Sequence, residues 1–227
     1  MKRFGFIWIV GLLLAACNNN QKKDQAGNDT QPRRTDTTAK ATTAGMKNII
    51  FFGNSITAGY GVEPTEAFPA RIGEKLDSLK LPYRVINAGL SGETTAGGKN
   101  RIDWILRQPV DVFVLELGGN DGLRGIPITE TRQNLQAIID KVREKNPQAV
   151  IILAGMQVPP NMGSRYANEF RNTFKELATK NNIPLIPFIL EGVGGVQQLN
   201  QADGIHPTPD GHRIVAENVW EVLKEVL

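Results

Sequence analysis

From Asn48 onward, short apolar runs alternate with longer segments in which apolar residues recur every three or four positions. That alternation predicts strands interleaved with helices, and hence a parallel sheet covered by helices. The runs place strands at Asn48–Phe52, Tyr83–Asn87, Val110–Leu117, Ala149–Ala154 and Pro184–Phe188. The periodic segments predict helices over Phe68–Leu79, Thr95–Leu106, Thr129–Lys145, Arg165–Asn181 and Asp210–Val226. Two stripes are plain: Leu135, Ile138, Ile139 and Val142 on one helix, and Tyr166, Phe170, Phe174 and Leu177 on another. Such stripes are core-facing surfaces rather than cofactor contacts. The strand runs are almost uniformly apolar, as expected where both faces of a parallel sheet are covered. Ligands of open parallel sheets bind beyond the carboxyl ends of the strands, so the residues after each run are the first candidates for chemistry.

The first 45 residues follow a different plan. Lys2 and Arg3 precede the uncharged apolar run Phe4 to Ala16, which at 13 residues is short against the roughly 20 that span a bilayer. It has the layout of a signal peptide over residues 1–16. Leu14-Ala15-Ala16-Cys17 resembles the bacterial lipobox, and Cys17 is the only cysteine in the chain, so lipidation at Cys17 is expected. An ordinary signal peptide with an incidental cysteine is the plainer alternative. Asn18 to Gly45 contains no aromatic or branched aliphatic residue and cannot build a core. It reads as a tether with a root-mean-square reach of about 30 Å. A single compact domain is expected over residues 46–227.

Charge changes meaning once it is placed. Of 26 Lys and Arg and 23 Asp and Glu, seven basic and three acidic residues precede Met46, leaving 19 and 20 in the rest, a net charge of −1. The basic excess lies in the leader and tail, which argues against a nucleic-acid partner. One cysteine and two histidines cannot form an internal disulfide or a Cys/His zinc cluster. No metal is expected.

Four strand-end segments carry polar residues in an arrangement that suggests chemistry. The first, Gly53-Asn54-Ser55-Ile56-Thr57-Ala58-Gly59, sets a serine on a turn between glycines, where its hydroxyl can face solvent; capping and turn geometry alone would also use these residues. The second, Asn87-Ala88-Gly89-Leu90-Ser91-Gly92-Glu93-Thr94, lets the backbone approach a ligand closely, or is a turn before a helix cap. The third, Glu116-Leu117-Gly118-Gly119-Asn120-Asp121-Gly122, offers an amide donor at Asn120, or a turn residue in the left-handed conformation. Glu116 reads as a structural carboxylate. The fourth, Asp203-Gly204-Ile205-His206-Pro207, spaces an acid and an imidazole so that the acid can bond one ring nitrogen while the other faces a serine. His212, beside Gly211 at the start of the last helix, reads as a structural histidine.

In this order the four segments resemble the blocks of the SGNH hydrolases, a family named for Ser, Gly, Asn and His. Leu115 to Gly125, running Leu-Glu-Leu-Gly-Gly-Asn-Asp-Gly-Leu-Arg-Gly, is similar to the thioesterase, lysophospholipase and arylesterase branch of that family. The resemblance covers nearly all of residues 46–227. It implies a flavodoxin-like three-layer α/β/α sandwich with a five-stranded parallel sheet in the order 2-1-3-4-5. It implies Ser55 as nucleophile, His206 as general base and acid, and Asp203 as the carboxylate that orients it. Ser55 N–H, Gly92 N–H and the Asn120 amide would form the oxyanion hole. Gly122, Leu123, Arg124, Gly125 and Ile126 correspond to a loop bordering the acyl group. The expected substrate is a small acyl ester or thioester, cleaved through an acyl-enzyme with no cofactor and with activity falling on acidification as the histidine protonates. A carbohydrate or cell-envelope O-acetyl esterase is the alternative, and a non-catalytic envelope-binding lipoprotein a further one. A monomer is expected, anchored through Cys17 in the cell envelope, with the outer membrane as the favoured site. One position departs from the pattern: Asn54 stands where the family usually has Asp before the nucleophile, which removes a fixed charge but retains an acceptor.

Overall fold

The computed structural model describes residues 45–227. The expected signal peptide, Cys17 and all but the last residue of the tether lie outside the described residues. Five strands form one parallel sheet in the order β2-β1-β3-β4-β5: β1 (Lys47–Gly53), β2 (Tyr83–Gly89), β3 (Val112–Glu116), β4 (Val150–Ala154) and β5 (Leu185–Ile186). The helices are α1 (Ser55–Ala58), α2 (Phe68–Ser78), α3 (Thr95–Ile105), α4 (Gly119–Leu123), α5 (Ile128–Lys145), α6 (Ser164–Asn181) and α7 (Pro209–Leu223). The order reverses between β1 and its two neighbours. Right-handed crossovers therefore send α2 to one face and α3, α5 and α6 to the other. The packing follows this division: α3 meets α5 and α5 meets α6, while α2 meets α7.

Alternation along the central strand serves both layers. Phe51 packs edge-on against Phe68 of α2, with ring centroids 5.3 Å apart, while Phe52 lies under the guanidinium of Arg101 on α3. Both are fully buried, and burying each such side chain stabilises the fold by roughly 1.5–3 kcal/mol. Leu135, Ile138, Ile139 and Val142 of α5 are also fully buried, as the helical period predicts. Sequence boundaries hold to within one or two residues for most elements. Three differ: β5 pairs over two residues rather than five, β3 loses both ends of its apolar run, and α7 stops at Leu223 and continues as a 3-10 turn over Lys224–Val226. Uniform burial also fails for β2, an edge strand, whose Arg84 and Asn87 are exposed.

The register at the carboxyl edge positions the site. Gly53 of β1 pairs with Gly89 of β2 on one side and with Glu116 of β3 on the other. The three following loops therefore leave the sheet at one level.

Candidate active site

Ser55 is the first residue of α1, a single helical turn whose N-cap is Asn54. The Asn54 side chain caps it by accepting from Ile56 N–H at 2.9 Å. The same side chain donates through Nδ2 to Glu116 Oε1 at 2.7 Å. Glu116 Oε2 accepts from Asn54 N–H at 3.1 Å and from Thr57 Oγ at 2.8 Å. One carboxylate thus grips the turn on both sides of Ser55. Gly53 has to be glycine here, because a Cβ would collide with Thr57 Oγ and with that carboxylate. Burial pushes the Glu116 carboxyl up to about 7, against the pull of its donors from Thr57 and Asn54.

Asp203 and His206 lie on a loop that precedes α7. Asn200 and Pro207 bridge across this loop, Gln201 N–H donates to the His206 carbonyl at 2.7 Å, and Gly204 turns it with φ of +75°. Asp203 Oδ1 accepts from the backbone N–H groups of Ile205 and His206, which orients the carboxylate. Asp203 Oδ2 lies 2.6 Å from His206 Nδ1, and His206 Nε2 lies 2.8 Å from Ser55 Oγ. A carboxylate beside Nδ1 keeps the ring proton there, so Nε2 is the acceptor for the serine hydroxyl. The hydrogen bond from His206 and the Ile205 N–H hold the Asp203 carboxyl down at about 2. Tyr60 packs against the imidazole with ring centroids 4.7 Å apart.

Three donors surround the same opening. Ser55 N–H sits at the start of a helix, where no intrahelical partner exists. Gly92 takes φ of +79° with open space around its missing side chain, so the glycine serves backbone conformation rather than clearance. Neither N–H has a hydrogen-bond partner among the described residues. Asn120 donates one amide hydrogen to the Glu93 carbonyl at 2.9 Å, which leaves its second for a ligand. Asn120 is helical; Gly118, two residues earlier, takes the left-handed conformation that sequence reasoning considered for Asn120. Glu93 is paired with Arg101, which also donates to the Ala88 carbonyl and so ties the Gly92 loop to the sheet edge.

Ser55, Gly92, Asn120 and His206 line a cavity of about 630 Å³. Its apolar walls come from Met156 and Val158 after β4 and from Phe188 and Leu190 after β5. Sequence reasoning missed these, because apolar residues that continue a strand run are indistinguishable from core. It placed the acyl border instead at Gly122–Ile126. Of that loop only Leu123 reaches the cavity. Gly122 packs against Val158 and Phe170, Arg124 donates to the Gly92 carbonyl at 3.1 Å, Gly125 turns the chain with φ of +63°, and the Ile126 carbonyl accepts from Tyr166. Gly122 and Ile126 thus meet α6 through Phe170 and Tyr166, whereas Arg124 reaches back to the Gly92 loop without lining the cavity. His212 is fully buried and accepts from Phe68 N–H at 3.3 Å; it takes no part in the opening.

The GDSL-like Lipase/Acylhydrolase family matches residues 51–214. Esterase TesA of Pseudomonas aeruginosa is 40% identical over 185 residues, covering 81% of this chain and 91% of that protein. Thioesterase 1/protease 1/lysophospholipase L1 of Escherichia coli K12 is 36% identical, covering 81% and 86%. The crystal structure of the psychrotrophic esterase EstA from Pseudoalteromonas sp., inhibited by monoethylphosphonate, superposes with a TM-score of 0.74 at 30% identity, covering 79% of this chain and 97% of that one. With the five-stranded order and the four blocks in place, the chain belongs to the GDSL-like lipase/acylhydrolase family and is a serine hydrolase acting on ester bonds.

Proposed function

We propose that Ser55, His206 and Asp203 cleave acyl esters and thioesters of medium or long chain through an acyl-enzyme. The continuous hydrogen-bond chain from Asp203 through His206 to Ser55, at the mouth of an apolar cavity, carries this reading. Ser55 Oγ attacks the carbonyl carbon as Nε2 of His206 takes its proton. Charge collects on the carbonyl oxygen, where Ser55 N–H, Gly92 N–H and the free Asn120 N–H stabilise it. Collapse expels the alcohol or thiol with the proton from His206, and water then releases the acid by the reverse route. Asp203 holds the imidazole tautomer and offsets the charge it gains.

The cavity favours acyl chains over acetyl groups. A cavity of about 630 Å³ with Met156, Val158, Phe188 and Leu190 on its wall offers far more room, against an apolar surface, than an acetyl group fills. The names of the relatives, among them a thioesterase and lysophospholipase, agree with a substrate of this kind. A chain-length series of nitrophenyl esters, beside acetylated glycans, tests the proposal. Rising kcat/KM beyond acetyl is expected, with Ser55→Ala inactive and no longer labelled by a fluorophosphonate. Preference for acetylated glycans, or undiminished turnover in Ser55→Ala, would overturn it. Asn120→Ala is expected to lose on the order of 100-fold in kcat.

The same proposal places the enzyme in the cell envelope, in the outer membrane, as a monomer held by an acylated Cys17. The basic start, the short apolar run and the single cysteine after Ala16 support this. Cys17→Ala is expected to abolish incorporation of labelled fatty acid and to release the protein from membranes.

A further inference from the structure

The exposed apolar side chains are not scattered. Of the eight large apolar residues that stand exposed among the described residues, Tyr60, Leu123 and Ile205 line the cavity and Leu90 and Val196 stand next in the chain to lining residues, each 38% to 53% accessible. They come from four separate connections. Tyr60 follows β1, Leu90 follows β2, Leu123 ends α4 beyond β3, and Val196 and Ile205 lie in the long segment between β5 and α7. Tyr60, Leu123 and Ile205 line the cavity itself, while Leu90 adjoins Ser91 and Val196 adjoins Gly195, both lining residues. A rim gathered from remote loops around one opening is more than the single exposed apolar residues that any surface carries.

We infer that this rim docks on a lipid surface of neutral head groups, so that an acyl chain passes from the lipid phase into the cavity without crossing water. The inference rests on the acyl-ester reading above, and three observations select the partner. The rim is continuous with the apolar cavity wall, so the docked surface and the substrate have one chemistry. The residues that flank the five side chains along the sequence include Gly61, Ser91, Gly92, Gly195 and Gly204, all small and all exposed. The exposed charges within three positions of these side chains in the chain are Glu63, Arg124 and Asp203; Asp203 is committed to His206, and Arg124 already donates to the Gly92 carbonyl. Nothing there would recognise an anionic head group or an acidic protein. A protein docked on this rim would close the mouth, whereas a lipid surface delivers substrate through it. Insertion of apolar side chains, not charge, therefore drives the attachment, and salt leaves it intact.

Leu90 and Val196 allow the test, because they stand on the rim without lining the cavity. In the full chain, the Leu90→Ser, Val196→Ser double variant is compared with wild type on monomeric nitrophenyl butyrate and on nitrophenyl palmitate carried in phosphatidylcholine vesicles. The expected result is an unchanged rate on the soluble ester and a loss of roughly tenfold or more on the vesicle-borne one. Equal rates of the two proteins on the vesicle-borne ester would overturn the inference. If both activities fall together, or if neither ester is cleaved, Leu90→Trp decides. Its emission, taken as a difference from wild type, shifts to the blue on adding phosphatidylcholine vesicles if the rim inserts. No shift, or a shift only with phosphatidylserine vesicles that high salt abolishes, overturns lipid docking while leaving the catalytic assignment to be judged on the soluble ester.

Discussion

Glu116 and His212 resist ionisation for the same reason, burial, yet they pull stability in opposite directions with pH. Glu116 holds its proton to about 7 in the fold, against an ordinary value of 4.5. Its contribution is complete below about pH 4.5 and is lost as pH rises through about 7, amounting to on the order of 3 kcal/mol. Burial, with help from the charge of Arg71, holds His212 down at about 4. Its Nδ1 already accepts from Phe68 N–H, so charging the ring would break that bond, and its Nε2 has no partner among the described residues. This contribution is complete above about pH 6.5 and is lost as pH falls through about 4. Between those limits the two slopes offset each other. Urea melts should therefore show little pH dependence in wild type from about 4.5 to 6.5. Glu116→Gln should expose a decline toward acid, and His212→Gln a decline toward neutral. Flat profiles in both variants would remove these groups from the linkage. Asn54 belongs to the same account: its amide donates to Glu116, where an Asp would set carboxylate against carboxylate. Asn54→Asp should accordingly lower Tm at pH 8 and much less at pH 5, where the pair can share a proton. The sequence showed that Asn54 departs from the family pattern. It did not show that Glu116, 62 residues away, is the group the amide meets.

At the scale of elements, the longer helices and the central strands were legible because each buries one face and repeats its pattern over many residues. Helices α1 and α4 were not, since four or five residues are too few to show a period. These two short turns nevertheless carry Ser55 and Asn120, and the pairing of Gly53 with both Gly89 and Glu116 brings them level with the Gly92 loop. Two glycines separate packing from conformation. Gly53→Ala meets Thr57 and Glu116, so it should lower Tm and activity together. Gly92→Ala has room for its methyl group but forces alanine to φ of +79°, at a cost of roughly 1–2 kcal/mol. The loop should relax away from that conformation, with kcat falling while Tm changes little. Thermal melts beside steady-state kinetics on a soluble ester check both expectations.

At the scale of the whole molecule, the apolar wall of the cavity comes from segments that sequence reasoning passed over. The cavity wall after β4 and β5 faces the catalytic loops across the carboxyl edge of the sheet, so Leu190→Trp should fill part of it and move the preferred acyl chain to shorter lengths in the nitrophenyl series. An unchanged preference would place the chain-length limit elsewhere. What the sequence by itself determined is whatever is written locally or in order along the chain. The alternation of periods dictates a covered parallel sheet, and the succession of Ser, Gly, Asn and His blocks at strand ends names the chemistry. Tertiary structure decided whatever depends on distance between remote residues. It brought His206 within 2.8 Å of Ser55 across 151 positions, set Glu116 under the Ser55 turn, kept Gly122 and Ile126 out of the cavity lining, and gathered exposed Tyr60, Leu123 and Ile205 from remote loops around one opening. The physical reason is that an apolar side chain reads the same in sequence whether it faces core, cavity or solvent, and only packing tells these apart.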